Sequence, residues 1–228
     1  MVQFNEYLDQ IFSEFSKVEY SSLMSKAKVH YMDFAGSFDE DSLEIEAKWS
    51  QFRDWFLFVY PGTFETDEIS PFKIMKQEVF QKAVGIEPEI MTAIIESRYS
   101  VFQHLKSYKD QIKVRDLITR NKHYVFDTNI QLILEKKDYF QTRIYKLNDT
   151  YYLGGSFVVH PPLAAKYIDS KIKILKKERK KEVKSLTELQ FLESIFKMYY
   201  RVLRFKQVEV QKVYSDQPLF ERKNQVSL

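Results

Sequence analysis

At 228 residues, with 44% hydrophobic and 16% aromatic content, the chain carries enough apolar material for one large domain or two small ones, and this is not the composition of a disordered segment. It contains no cysteine and only five glycines, which excludes disulfides, thiolate metal sites and cysteine nucleophiles and leaves no Walker, Rossmann or kinase-type glycine loop. The net charge is only +3, yet residues 1–98 hold 9 Lys/Arg against 18 Asp/Glu, whereas residues 99–228 hold 26 against 14.

That asymmetry has two readings. A basic second half offers a surface to nucleic acid or to an acidic protein. Alternatively, the two halves neutralise each other internally. The N-terminus lacks the basic and apolar regions of a secretory signal, and no run approaches the roughly 18 apolar residues of a membrane span. A cytoplasmic location without a membrane span is therefore expected.

In chain order, residues 2–34 read as helix. Phe4, Leu8, Ile11, Phe15 and Val18 recur at three and four, and a break is expected near Ser21-Ser22 before Gly36 stops the pattern. Ser37 and Glu40 have capping-box spacing, which predicts a second helix from about Phe38. In that helix Trp49, Phe52, Phe56 and Val59 share one face, Trp55 and Phe58 widen it, and Pro61-Gly62 ends it. An aromatic run of this kind is expected to be core rather than a stacking platform. Pro71 and Pro88 suit first helical positions and open two short helices.

From Tyr99 the period changes to short β-branched and aromatic runs split by polar turns. Strands are expected near 99–106, 111–117, 122–128, 139–147 and 150–159. Turns fall at Tyr108-Lys109-Asp110, Thr119-Arg120-Asn121 and Leu147-Asn148-Asp149. Five short antiparallel strands suit a small, curved barrel. After Pro161-Pro162 no Gly or Pro occurs from Leu163 to Gln217, and helical spacing returns. Ser185 and Glu188 are a candidate capping box, so the arm reads either as two helices of about 163–184 and 186–209 or as one bent helix. The expectation is thus an α+β protein with a helical region (1–98), a β-module (99–162), a helical arm (163–214) and a loose tail (215–228).

Phe52-x-x-Trp55-Phe56-x-Phe58-x-Tyr60 followed by Gly62-Thr63 resembles an F-x-x-W-F-x-F-D-Y…G-x-T segment of an uncharacterised group of bacterial proteins, some of which carry a zinc motif like that at the C-terminus of SecA. Arg98-Tyr99-Ser100-Val101-Phe102, Val114-Arg115-Asp116-Leu117 and Arg143-Ile144 resemble later steps of the same group, so the likeness covers about residues 50–162. Val59 stands where the group has Asp, and a zinc knuckle is excluded because there is no cysteine. The resemblance implies a fold and no particular activity.

The run from Lys171 to Lys184 carries Lys171, Lys173, Lys176, Lys177, Arg179, Lys180, Lys181 and Lys184 against Glu178 and Glu182. With Ile172, Leu175 and Val183 inward, such a helix shows a cationic outer face that binds phosphates by counterion release or simply sits solvated. Lys113, Arg115, Arg120 and Lys122 form a second basic group on the β-module. His104 and His123 fall on neighbouring strands and could meet as an acid–base pair. Asp39-Glu40-Asp41 and Asp67-Glu68 are carboxylate clusters better explained by favourable helix starts. Gly155-Ser156-Phe157-Val158-Val159 lacks the flanking base of an RNA-recognition signature, and Ser156 lacks the second glycine of a nucleophile elbow.

The expectation is a non-catalytic binding module for nucleic acid, needing no cofactor or metal. The first rival is a protein-interaction or assembly factor working through its helices, including as a homo-oligomer. The second is an enzyme built around His104 and His123.

Overall fold

The computed structural model describes residues 3–36, 45–61, 70–126, 134–181 and 187–217. They form an α+β protein in two compact units, Met1–Val159 and His160–Leu228. The first unit opens with helices α1 (Phe4–Glu14) and α2 (Ser21–Ala35). The break lies at residues 15–20, directly before the expected Ser21-Ser22, where Ser16 and Lys17 turn the chain into a 3-10 segment at Val18–Tyr20. Gly36, at φ +77°, ends α2 in a conformation that side chains resist.

Helix α3 spans Ile45–Phe58; its expected start at Phe38 and the Ser37–Glu40 capping box fall outside the described residues. Every residue from Gln51 to Leu57 is buried. Trp55, 4% exposed, is ringed by His30, Tyr31, Phe34 and Tyr60 at centroid distances of 5.2–5.8 Å. Trp49 stands apart from the expected core face at 36% exposure, with Lys28 over its ring. Three short helices follow: α4 (Pro71–Met75), α5 (Glu78–Val84) and α6 (Pro88–Ile95). Proline opens α4 and α6, where its missing N–H costs nothing, and left-handed Gly85 closes α5.

Strands β1 (Arg98–Ser107), β2 (Gln111–Asp116), β3 (Lys122–Phe126), β4 (Tyr139–Leu147) and β5 (Thr150–His160) close a barrel in the order β1-β2-β3-β5-β4. Three antiparallel strands run in sequence and β4 returns beside β1, which is Greek-key order. One pairing is not antiparallel: β3 and β5 run parallel at Val125–Tyr151 and Phe126–Tyr152. A bulge between His104 and Lys106 adds curl to β1. Asn148 and Asp149 both have positive φ, as a type I′ two-residue hairpin requires.

Alternate residues fill the barrel: Phe102, Ile112, Val114, Val125, Phe140, Ile144 and Leu153 are its buried interior. Their neighbours point outward. On β4 and β1 those outward residues are covered by the helices, Phe4 of α1 stacking on Tyr145 at 4.5 Å and Phe58 of α3 lying 3.7 Å from the Arg143 guanidinium.

The second unit holds α7 (Ala165–Lys181), α8 (Glu188–Arg204) and α9 (Val210–Val213). Its capping box is Thr187 with Gln190, each side chain satisfying the other's backbone N–H. The Ser185–Glu188 box is therefore corrected: Ser185 lies outside the described residues, and Glu188 is already the first residue of α8. Among the described residues, no helix is long and apolar enough to cross a membrane.

Candidate functional site

Strand β2 alternates Gln111, Lys113 and Arg115 outward with Ile112, Val114 and Asp116 inward. On β3, Lys122 and Tyr124 point outward around buried Val125. Register pairs Lys113 with Tyr124 and Arg115 with Lys122. The structure thus brings Lys113, Arg115 and Lys122 onto one outer face, with Arg120 exposed in the turn between the strands. None of the outward residues of β2 and β3 is a carboxylate.

Two tyrosines interleave with these cations. Lys113 lies over the Tyr124 ring at 4.9 Å, Lys106 over Tyr108 at 5.0 Å, and the two tyrosine rings are 6.0 Å apart. The Tyr124 hydroxyl bonded to Lys113 raises the lysine pKa, and the lysine in turn lowers that of the phenol. Arg115 and Lys122 are like charges placed directly across an antiparallel pair, an arrangement that costs stability.

At one end of the barrel is a cavity of about 310 Å³. Its wall comes from α6 and its C-cap (Ala93, Glu96), the start of β1 (Arg98), the end of β2 (Asp116), the β2–β3 turn (Thr119, Asn121), β3 (His123), the end of β4 (Ile144, Lys146) and the start of β5 (Tyr151). Asp116 braces it. Its Oδ1 accepts from Ser100 Oγ (2.9 Å) and from the backbone N–H groups of Ile118 (2.8 Å) and Thr119 (3.0 Å), and its Oδ2 from Arg98 Nε (3.1 Å). Burial alone would raise the Asp116 pKa; these donors outweigh it and hold the pKa below the ordinary carboxylate value. His123 is half-buried, and burial lowers its pKa against the opposing pull of Asp116, so at neutral pH it is an uncharged imidazole. Its ring lies edge-on to Tyr151 at 4.6 Å.

His104 is elsewhere. It is 4% exposed; its Nδ1–H donates to the Glu135 carbonyl (2.8 Å), and its Nε2 lies 3.0 Å from Ser107 Oγ. It and His123 flank Val114 from opposite sides in the register, two strands apart. The structure therefore brings His123, and not His104, to the cavity. Among the described residues no three His, Asp or Glu side chains gather in a metal-holding group. Asp39-Glu40-Asp41 and Asp67-Glu68 lie outside the described residues.

In the second unit, Ile172 and Leu175 of α7 are buried at 2% and 4% exposure, as the spacing predicts, while Lys173 and Lys177 are exposed. Lys171 differs from the expected free cation: it reaches Asp216 at 2.7 Å and is largely covered. Lys176 is half-buried. The side chains of Arg179, Lys180 and Lys181, and the whole of Val183 and Lys184, fall outside the described residues.

Sequence reasoning missed Tyr108 and Tyr124 as neighbours of the cations, and it missed the cavity. The first was open to inference, since the alternation Lys122-His123-Tyr124 puts lysine and tyrosine on one face. It also missed a buried polar junction on the covered side. Arg53 donates to Asp54 Oδ1 (3.0 and 3.1 Å), to Asp9 (2.6 Å) and to Asn5 Oδ1 (3.0 Å), which also accepts the N–H of Gly155 at 2.9 Å. Burial works against the charge of Arg53, but Asp54 and Asp9 hold its pKa above the ordinary value. A Cβ at Gly155 would collide with the Asn5 side-chain amide, which would then have to leave its hydrogen bonds with Arg53 and the Gly155 N–H.

The fold and these surfaces define a five-stranded Greek-key barrel braced by helices on one outer face and open on another. A family model described as "Family of unknown function (DUF7986)" matches residues 6–211, and the chain belongs to that family. No curated protein and no solved structure matches it.

Proposed function

We propose that the protein is a non-catalytic nucleic-acid-binding module that holds a single strand on the outer face of β2 and β3, with the basic helix α7 adding sequence-independent phosphate attraction. The observation that carries this reading is the open face itself: Lys113, Arg115 and Lys122 interleaved with Tyr124 and Tyr108, and no carboxylate among the outward residues of β2 and β3. Five-stranded Greek-key barrels use this same face, and the adjoining loops, for oligonucleotides and oligosaccharides; that part of the support is analogy of fold. Cations tracking a backbone and aromatic rings on which bases stack are what single strands need.

The test is fluorescence-anisotropy titration with short single- and double-stranded DNA and RNA at low and moderate salt. Changing Lys113, Arg115 and Lys122 together to Gln should weaken binding of every sequence and flatten the salt dependence by about two units, at roughly 0.7 per phosphate for single strands. Tyr124→Ala should cost about 1–3 kcal/mol of single-strand affinity and leave the salt slope alone. Changing Lys173, Lys176, Lys177, Lys180 and Lys181 to Gln measures the separate share of α7. Failure of the unmodified protein to bind any strand at low salt removes this function and favours protein interaction.

A further inference from the structure

We infer that the cavity at the mouth of the barrel is a nucleotide site that takes the end of the strand held on the β2–β3 face. The inference rests on the proposed function for the identity of its ligand, and on the cavity's own chemistry for its shape and contacts.

At about 310 Å³ the cavity sits at the lower end of small-molecule sites, which run from roughly 300 to 1,000 Å³. Its walls suit a flat, polar ring. Tyr151, Ile144 and the edge of His123 give apolar and aromatic surface. His123 is uncharged and has one N–H and one lone pair, neither of them engaged in the described structure, and the Asn121 amide brings a further donor and acceptor. Nucleobases offer such mixed edges, whereas a simple carboxylic acid or an alkyl chain does not.

The carboxylate beneath, Asp116, has its oxygens engaged by four donors and so does not present an open anionic seat to a cation. At the rim, exposed Lys146 pairs with exposed Asp149 at 2.8 Å, so a phosphate at the mouth takes the place of that carboxylate on the lysine, with Glu96 at the C-cap of α6 the other carboxylate in the exposed part of the lining.

Position supplies the link to the strand. Asn121 and Thr119 of the β2–β3 turn line the cavity, while Arg120 of the same turn is exposed and Lys122 lies across from Arg115 on the outer face. The basic face therefore runs to the turn and ends at the cavity. A strand lying along it, over a six-residue length of β2 or about 20 Å, can turn its last nucleotide over the loop and into the mouth.

Isothermal titration of the full chain with adenosine, cytidine, guanosine and uridine 5′-monophosphates, against inorganic phosphate alone, tests the site directly. At least one nucleotide should saturate a single site at about millimolar affinity or better. Asn121→Ala and Lys146→Gln, both at exposed positions, should each weaken it about tenfold, and His123→Phe, which fills the cavity, should abolish it. Should His123→Phe fail to fold, the two exposed variants decide. A linear oligonucleotide should also bind more tightly than a circle of the same sequence, which has no end to insert.

Phosphate alone binding as well as every nucleotide, no saturation by any nucleotide, or nucleotide binding unchanged in these variants would overturn the proposal; equal affinity of circle and line would overturn the insertion of an end. The Lys113, Arg115 and Lys122 triple variant separates the two ideas. If it loses oligonucleotides but keeps mononucleotides, face and cavity act independently. A protein that binds mononucleotides but no strand refutes the face and leaves the cavity; the reverse refutes the cavity alone.

Discussion

On strands β4 and β1 the outer surface of the barrel carries Tyr99, Val101, Gln141, Arg143 and Tyr145, all buried or half-buried. On β2 and β3 the outward positions carry Lys113 and Arg115, which are half-buried, and Lys122 and Tyr124, which are exposed. Both faces use arginine and tyrosine, and both obey the same two-residue alternation. What differs is the treatment of charge. Arg143 is enclosed by Phe58 at 3.7 Å and Tyr99 at 5.3 Å, and it donates to the Ser97 carbonyl (3.3 Å) and hydroxyl (3.1 Å). Burial pushes its pKa below the ordinary arginine value. Arg115 is only half-buried, and its cross-strand neighbour is another cation. The helices cover one side of the barrel, whereas on the other a cation faces a cation across the β2–β3 ladder, an arrangement that stability alone disfavours.

The largest effect should come from the helical lid of the covered face. Trp55→Ala deletes a ring packed among four aromatic neighbours and should cost about 3–5 kcal/mol in urea melts. A loss within about 0.5 kcal/mol, typical of surface sites, would show that the lid is not held by this core.

Next is a matched pair on the barrel itself. Arg143→Ala should cost about 2–5 kcal/mol, because it empties the space between Phe58 and Tyr99 and leaves the Ser97 acceptor without its donor. Arg115→Ala should change stability by no more than about 0.5 kcal/mol. Equal costs for the two arginines would erase the distinction between the faces.

A third test concerns pH and lies in the second unit. His160 is fully buried, its Nδ1 2.8 Å from the Tyr214 hydroxyl, and burial pushes its pKa down to about 3. A histidine depressed on folding contributes stability that is complete above its unfolded value near 6.5 and is lost as pH falls toward 3. His123, also held below 6.5 by burial, acts in the same direction in the first unit. Urea melts from pH 7 to 4 should show a steady loss, and His160→Gln should flatten part of it. A stability that rises on acidification over that range would reverse the assignment.

The two faces also mark how far the sequence could be read. Strand spans such as 111–116 and 139–147 were legible because their alternation is local, and so was the Asn148-Asp149 turn. The parallel β3–β5 pairing was not, since partner choice across a closed barrel depends on how long connections route the chain. Nor could a period of two tell Arg143 from Arg115. Alternation says which residues point outward; only the packing of α1, α3 and α6 says which outward residues are then covered. The α8 cap slipped from Ser185 to Thr187 because Ser185-x-x-Glu188 and Thr187-x-x-Gln190 both satisfy the rule, and the three-residue spacing does not choose between them. The cavity was illegible for a different reason: its wall is drawn from five strands, helix α6 and a turn that meet only at the barrel mouth.

The smallest effect gives the sharpest separation of stability from function. Arg115 and Lys122 sit directly opposite in the β2–β3 ladder, where like charges repel and opposite charges attract. Lys122→Glu turns that pair into an attraction and should raise stability by about 0.2–1 kcal/mol, the usual worth of a cross-strand charge pair. The same change puts a carboxylate among the outward residues of a face that otherwise has none, where it repels phosphate and withdraws Arg115 from it. Strand affinity should therefore fall while the fold is strengthened, and the two readouts, urea melts and anisotropy titration, move in opposite directions. A variant that is less stable with binding intact would mean that the opposed cations serve the barrel's packing and not a partner.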